Sequence, residues 1–150
     1  MYRVIQWATG GVGRAAIQGI VRHPELELVG CWVHSADKAG RDAGELAGED
    51  PIGVAATTDV EALLATDADC VMYSPLLPDD AVVAAILRSG KNVVTPVGWV
   101  YPDRRNPAVA AVEAAALDGN VTLHGSGIHP GGITERFPLM VSSLSAAVTH

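Results

Sequence analysis

The chain of 150 residues has the length of one domain, and 49% hydrophobic against 18% charged residues is ample material for a core, which excludes a disordered chain. Its formal charge of −7, with the ten Lys and Arg scattered apart from adjacent Arg104 and Arg105, speaks against nucleic acid and anionic membrane as partners. A small anionic ligand needs only local positive groups and stays admissible.

Taken in chain order, short β-branched or apolar runs alternate with Ala-rich segments of helical period, the pattern of parallel strands joined by crossover helices. A strand is expected over 2–7 (YRVIQW), then a helix over 12–22 and a strand over 27–33. A short strand at 54–57 precedes a helix at 59–66 and a strand at 69–74 (DCVMYS). The helix at 79–89 has Asp79 or Asp80 as its cap and Gly90 beyond its end; the strand 92–95 (NVVT) follows. A helix over 107–118, ended by Gly119, leads to a last strand at 120–124. Near-continuous apolar strands such as CVMY and NVV suit a sheet covered on both faces. The expectation is a doubly wound α/β sheet.

Cys31 in VGCWV and Cys70 in ADCVMYS sit within expected strands, so buried inert thiols are expected rather than a metal or disulfide spacing. The opening MYRVIQWATGG has no charged leader before a long apolar stretch, and no apolar segment reaches the ~18 residues of a membrane span. A soluble, cytoplasmic protein with no membrane partner is therefore expected. After 120–124 comes GSGIHPGGITERFP, rich in glycine, and then LMVSSLSAAVTH, which starts another element and stops. The expected organisation is one domain over 1–135 and the start of a second, substrate or dimerisation region over 136–150.

Directly after the first strand and directly before the first helix, Ala8, Thr9, Gly10, Gly11, Val12 and Gly13 fit GxGxxG with alanine in the first place. In that context the middle glycine lets the backbone approach a pyrophosphate, the last lets helix and strand pack closely, and the helix N-terminus offers free N–H groups. Ala8 is compatible with this role if its φ stays negative. A glycine turn of purely structural purpose is the competing reading. The acid that an NAD site places about 20 residues past the glycines is absent. In its place stand Val33, His34, Ser35 and then Lys38 and Arg41, groups that suit a 2′-phosphate, so NADP is favoured with NAD possible. Lys38 and Arg41 read equally as a solvated helix face, Asp37 blunts their charge, and His34 is also placed to stack on an adenine. Ser74, Pro75 and Thr95 stand at the carboxyl ends of later strands, where open sheets bind ligands.

With the glycine loop, SPLLP, GKNVVTP and GSGIHPGG in this order, the chain resembles the N-terminal domain of the dihydrodipicolinate reductase-like superfamily. It is most similar to the branch of 2,4-diaminopentanoate dehydrogenase and the native amine dehydrogenases. The resemblance implies a Rossmann domain followed by a dimerising substrate domain, with NAD(P)H giving hydride to an imine or related small substrate between them. By position it assigns Gly10, Gly13 and the amides around Val12 to the pyrophosphate, and Ser74 and Thr95 to the nicotinamide end. The loop from Gly125 to Gly132, with Gly127, is assigned to closing over ring and substrate. That branch also implies a glutamate just after the NVVT strand; TPVGWVYP has Val97, Gly98, Trp99 and Val100 there, so Trp99 is expected to line an apolar substrate cleft.

His129, between Ile128 and Pro130, is the candidate general acid or substrate-orienting group, with a structural role as the alternative. Glu135 and Arg136 are placed to meet a polar substrate or to pair on the next helix. His124 is read as structural, His23 and His150 as surface residues, and no cluster has metal spacing. The leading expectation is an NAD(P)H-dependent oxidoreductase of a small carbonyl, imine or amine, working as a homodimer through its second domain. The alternatives are a non-catalytic dinucleotide-binding or redox-sensing module, and a glycine turn serving coenzyme A or a nucleotide sugar.

Overall fold

A computed structural model describes residues 1–129, 132–145 and 147. The apolar runs form one six-stranded parallel sheet in the order β3-β2-β1-β4-β5-β6. Its strands are β1 (Tyr2–Trp7), β2 (Leu26–Trp32), β3 (Ala56–Thr57), β4 (Cys70–Tyr73), β5 (Asn92–Thr95) and β6 (Leu123–Gly125). Strand order reverses between β1 and β4, which opens a crevice at the carboxyl ends of the strands. This is the doubly wound architecture that the alternation of the two periods implies.

The helices are α1 (Gly11–Arg22), α2 (Ala43–Ala47), α3 (Val60–Ala65), α4 (Asp80–Arg88), α5 (Pro107–Gly119) and α6 (Phe137–Ser142). A 3-10 turn at Ala36–Lys38 and a π-helical turn at Gly132–Arg136 complete the described elements. Four helices begin under a side-chain cap: Asp42, Asp59, Asp79 and Asn106 accept amides of α2, α3, α4 and α5. Two cores result. Val4, Leu28 and Cys31 pack under Ile17 and Ile20 of α1 and Ala43 and Ala47 of α2, while Ile5, Val71, Tyr73 and Val93 pack against α3, α4 and α5.

Several expectations are corrected. The sheet is covered on both faces only around β1 and β2: along β5, Val93 and Thr95 are buried but Asn92 and Val94 are exposed, because α4 and α5 both lie on the other side. A groove of about 520 Å³ follows this open face, lined by Tyr2, Ala16, Gly19, Met72 and Val94. Cys70 is half-buried on it, and His124 is exposed rather than a satisfied structural group. Cys31 is fully buried, and burial pushes its thiol up to about 12. The last strand starts at Leu123, not 120, because Asn120 ends α5 in the left-handed region (φ +53°). Gly119 therefore does not serve as that stop; a side chain there would strike the carbonyl of Leu87 where α5 crosses α4. The element expected beyond residue 137 is the short helix α6, with Phe137, Leu139 and Met140 exposed.

Candidate functional site

The chain leaves β1 at Trp7 and turns through Ala8 and Thr9 into α1. Ala8 contradicts the condition of a negative φ: it stands at φ +76°, in the region an L-residue enters at a cost of roughly 1–2 kcal/mol. Its carbonyl then lies under α1, where a side chain at Gly13 would collide with it. Gly13 is thus a packing glycine. Gly10, the residue before α1, is extended (φ −70°, ψ −170°), a conformation open to any residue, and nothing lies within 4 Å of a Cβ built there or at Gly11.

Among the described residues no contact requires those two glycines. What they keep clear is the space over the α1 N-terminus, and α1 alone of α1 to α5 carries neither a side-chain cap nor an acidic residue that offsets its absence. Free amides at the positive end of a 12-residue helix, behind a surface without side chains, fit a phosphate group.

This space opens into a groove of about 290 Å³ at the carboxyl ends of β1, β2 and β4. Ala8, Thr9, Gly10, Gly11 and Val12 form one bank; His34, Ser35 and Lys38 come from beyond β2, and Ser74, Pro75 and Leu76 from beyond β4. Lys38 Nζ reaches Thr9 Oγ1 at 3.4 Å, which ties the loop after β2 to the glycine loop. Next to it lies a hollow lined by Thr9, Gly10, Arg14, Lys38, Arg41 and Glu45, three cations against one carboxylate. On the far side an apolar hollow of about 530 Å³ is walled by Trp7, Trp32, Tyr73, Val60, Leu76 and Leu77. Trp7 and Trp32 stack at 5.1 Å, and His34 meets Trp32 edge-on at 6.0 Å. Burial raises the Tyr73 phenol, whose oxygen accepts the Asp79 amide at 3.1 Å and so fixes the start of α4.

The structure thus gathers Thr9, Gly10, Gly11, Val12, His34, Ser35, Lys38, Ser74 and Pro75 around one groove. Thr95 does not line this groove. It is fully buried, and its hydroxyl accepts the Val97 amide at 3.0 Å to close the turn after β5. Trp99, expected on the substrate side, does not line the nucleotide groove. With φ +52° it turns inward, edge-on to Tyr73 at 6.3 Å, and walls a separate hollow of about 290 Å³ with Val109, Val112 and Val121. Ser126 N bonds Thr95 O at 2.8 Å, which anchors the loop carrying Gly127 and the exposed His129 at the ends of β5 and β6. Pro130, Gly131 and His150 lie outside the described residues.

Sequence reasoning missed Arg14 and the aromatic wall. Arg14 directly follows the last fingerprint glycine, and Trp7 and Trp32 end neighbouring strands as a registered pair, so both signals were present. Among the described residues no group of three His, Cys, Asp or Glu could hold a metal, and no helix is long and apolar enough to cross a membrane.

A parallel sheet with a strand-order reversal, and a glycine loop opening an uncapped helix at that point, define a Rossmann-type domain. Residues 4–95 match the family described as dihydrodipicolinate reductase, N-terminus, and the chain belongs to that family. An amine dehydrogenase of Streptomyces virginiae is 38% identical over 157 aligned residues, 99% of this chain and 44% of that protein. A 4-hydroxy-tetrahydrodipicolinate reductase of Synechococcus elongatus is 41% identical over 61 residues, 41% of this chain and 22% of that protein. In solved structures, the amine dehydrogenase of Mycobacterium smegmatis superimposes with a TM-score of 0.80 at 23% identity, over 95% of this chain and 44% of that one. The chain spans less than half the length of these relatives.

Proposed function

We propose that this domain is the nucleotide-binding part of an NAD(P)-dependent oxidoreductase acting on a small imine, amine or carbonyl. The observation that carries the reading is the uncapped, glycine-cleared N-terminus of α1 facing the groove at the strand-order reversal. The amides of Gly11, Val12 and Gly13 bind the pyrophosphate, and the aromatic hollow beside His34 takes the adenine. Arg14, Lys38 and Arg41 supply the charge that favours a 2′-phosphate, so NADP is preferred over NAD. When bound, the nicotinamide supplies or takes up hydride; the protein's share is position, polarity and exclusion of water.

The loop with Gly127 and His129 is the substrate side of this proposal, with His129 holding or releasing the proton that accompanies hydride transfer. The inward Trp99 belongs to the wall behind that loop. The kinship with enzymes disfavours a non-catalytic sensor. The family resemblance supports a homodimer formed through a second region beginning near residue 136, which light scattering tests.

Titration of the purified protein with NADPH and with NADH, following nicotinamide fluorescence and with Gly10→Val as control, tests the reading. Binding that favours NADPH and disappears in the variant is expected. Absence of binding by the wild type, or equal binding by Gly10→Val, would refute it.

A further inference from the structure

Gln6 is a fully buried amide in the otherwise apolar core of β1, and it lies directly under the glycine loop. Its Nε2 donates to Ala8 O at 2.8 Å and Ser74 Oγ at 2.8 Å and lies 3.1 Å from Trp7 O. Two of these neighbours are carbonyls, which only accept, so the amide can point only its nitrogen toward them. The other end, Oε1, is buried without a partner among the described residues, so the hydrogen bonds of this side chain are all made by its donors.

This has a consequence for Ser74. Its oxygen is occupied as an acceptor by Gln6, so its proton must go elsewhere. Among the described residues the proton finds only Trp7 O at 3.4 Å, a carbonyl that already accepts the Ser74 amide at 3.1 Å. A hydroxyl that lines the groove beside Gly10 and Gly11 is thereby left as an under-used donor.

We propose that Gln6 is a positioning residue for dinucleotide binding: it holds Ser74 as a donor toward the groove and, through Ala8 O, locks the glycine loop against the β4–α4 turn. The bound dinucleotide offers Ser74 an acceptor oxygen in place of its long contact to the shared carbonyl of Trp7. This rests on the dinucleotide reading above and deepens it by tying the two banks of the groove through one buried amide.

The test is a double-mutant cycle with Gln6→Met and Ser74→Ala, reading the NADPH dissociation constant by fluorescence and the melting temperature without nucleotide. Ser74→Ala should weaken NADPH binding about tenfold, the scale of a hydrogen bond to a charged or strongly polar oxygen, while its melting temperature stays near that of the wild type. Gln6→Met should weaken binding by a similar factor and also lower the melting temperature. The double variant should bind no more weakly than Gln6→Met alone. Unchanged affinity in Ser74→Ala, or losses that multiply in the double variant, would overturn the coupling even where Gln6→Met folds poorly, since Ser74→Ala stands by itself. Wild-type protein that binds neither NADPH nor NADH would instead overturn the dinucleotide reading, and the coupling with it.

Discussion

Placing an acid at the uncapped start of α1, as Gly10→Asp, should separate folding from binding. The four capped helices show the geometry: Asp79 Oδ1 accepts Ala81 N at 2.9 Å and Val82 N at 3.2 Å. Gly10 is already extended with nothing within 4 Å of a Cβ, so the new side chain can cap α1 without strain. Asp in place of Gly at such a position contributes a few tenths of a kcal/mol, and its charge against the helix dipole roughly 0.3–1 kcal/mol more. The sum, roughly 0.5–1.5 kcal/mol, raises the melting temperature of a domain this size by roughly 1–6 °C. The same carboxylate stands where the pyrophosphate is to lie. Two unit charges ~4 Å apart at an effective dielectric of ~20 repel by about 4 kcal/mol, roughly a thousandfold in dissociation constant. Differential scanning fluorimetry without nucleotide and an NADPH titration read the two effects. A variant that melts lower than the wild type, or one that keeps wild-type affinity, would refute the reasoning.

Gly13→Ala drives a Cβ into the Ala8 carbonyl and should destabilise by roughly 1–3 kcal/mol, seen as a lower urea midpoint. Ala8→Gly relieves the φ of +76° and should stabilise by about 0.5–1 kcal/mol once the greater freedom of the unfolded glycine is subtracted, checked in the same assay. Asp42 gives a pH signature: burial works against its charge, but amides of Ile52, Gly44, Gly53 and Glu45 outweigh that and hold its carboxyl below the usual value. A depressed folded pKa contributes stability above the unfolded value of about 3.9 and loses it as pH falls through the folded one. The stability gap between wild type and Asp42→Asn should therefore be full at pH 6 and shrink below about pH 4, by urea unfolding at each pH; a gap independent of pH would refute the assignment.

The glycine loop was legible because its setting, an apolar strand before and a periodic helix after, restricts what three glycines can mean. The cap of α4 was legible for a similar reason, since Asp79 follows Pro78 and precedes a periodic run. Helix α2 was not, because five residues are too few to show a 3.6 period. The open half of the sheet was hidden by composition: Met72 and Val94 are apolar whether or not a helix covers them. Ser74 and Thr95 show the limit most clearly. Both are small hydroxyl residues at strand ends, but side chains alternate across a sheet. Thr95 shares its face with buried Val93, whereas Ser74 follows Tyr73 and faces the other way, toward Gln6 under the glycine loop. One residue of parity seals the first and leaves the second at the groove.

Three oddities in the first strand and its loop share one cause. A buried glutamine interrupts VIQW, an alanine stands where the fingerprint has glycine, and the glycine at position 13 cannot be replaced without collision. All three meet at the Ala8 carbonyl. It is turned under α1 by the positive φ of Ala8, held there by Gln6 Nε2 at 2.8 Å, and is the group a side chain at Gly13 would strike. Fixing that one oxygen sets where the α1 amides point, because the loop between it and the helix is only Thr9 and Gly10. The left-handed Ala8 therefore costs stability at a point where geometry matters for binding. Ala8→Gly, which relaxes the strain but loosens the same carbonyl, should stabilise the fold without tightening its hold on NADPH.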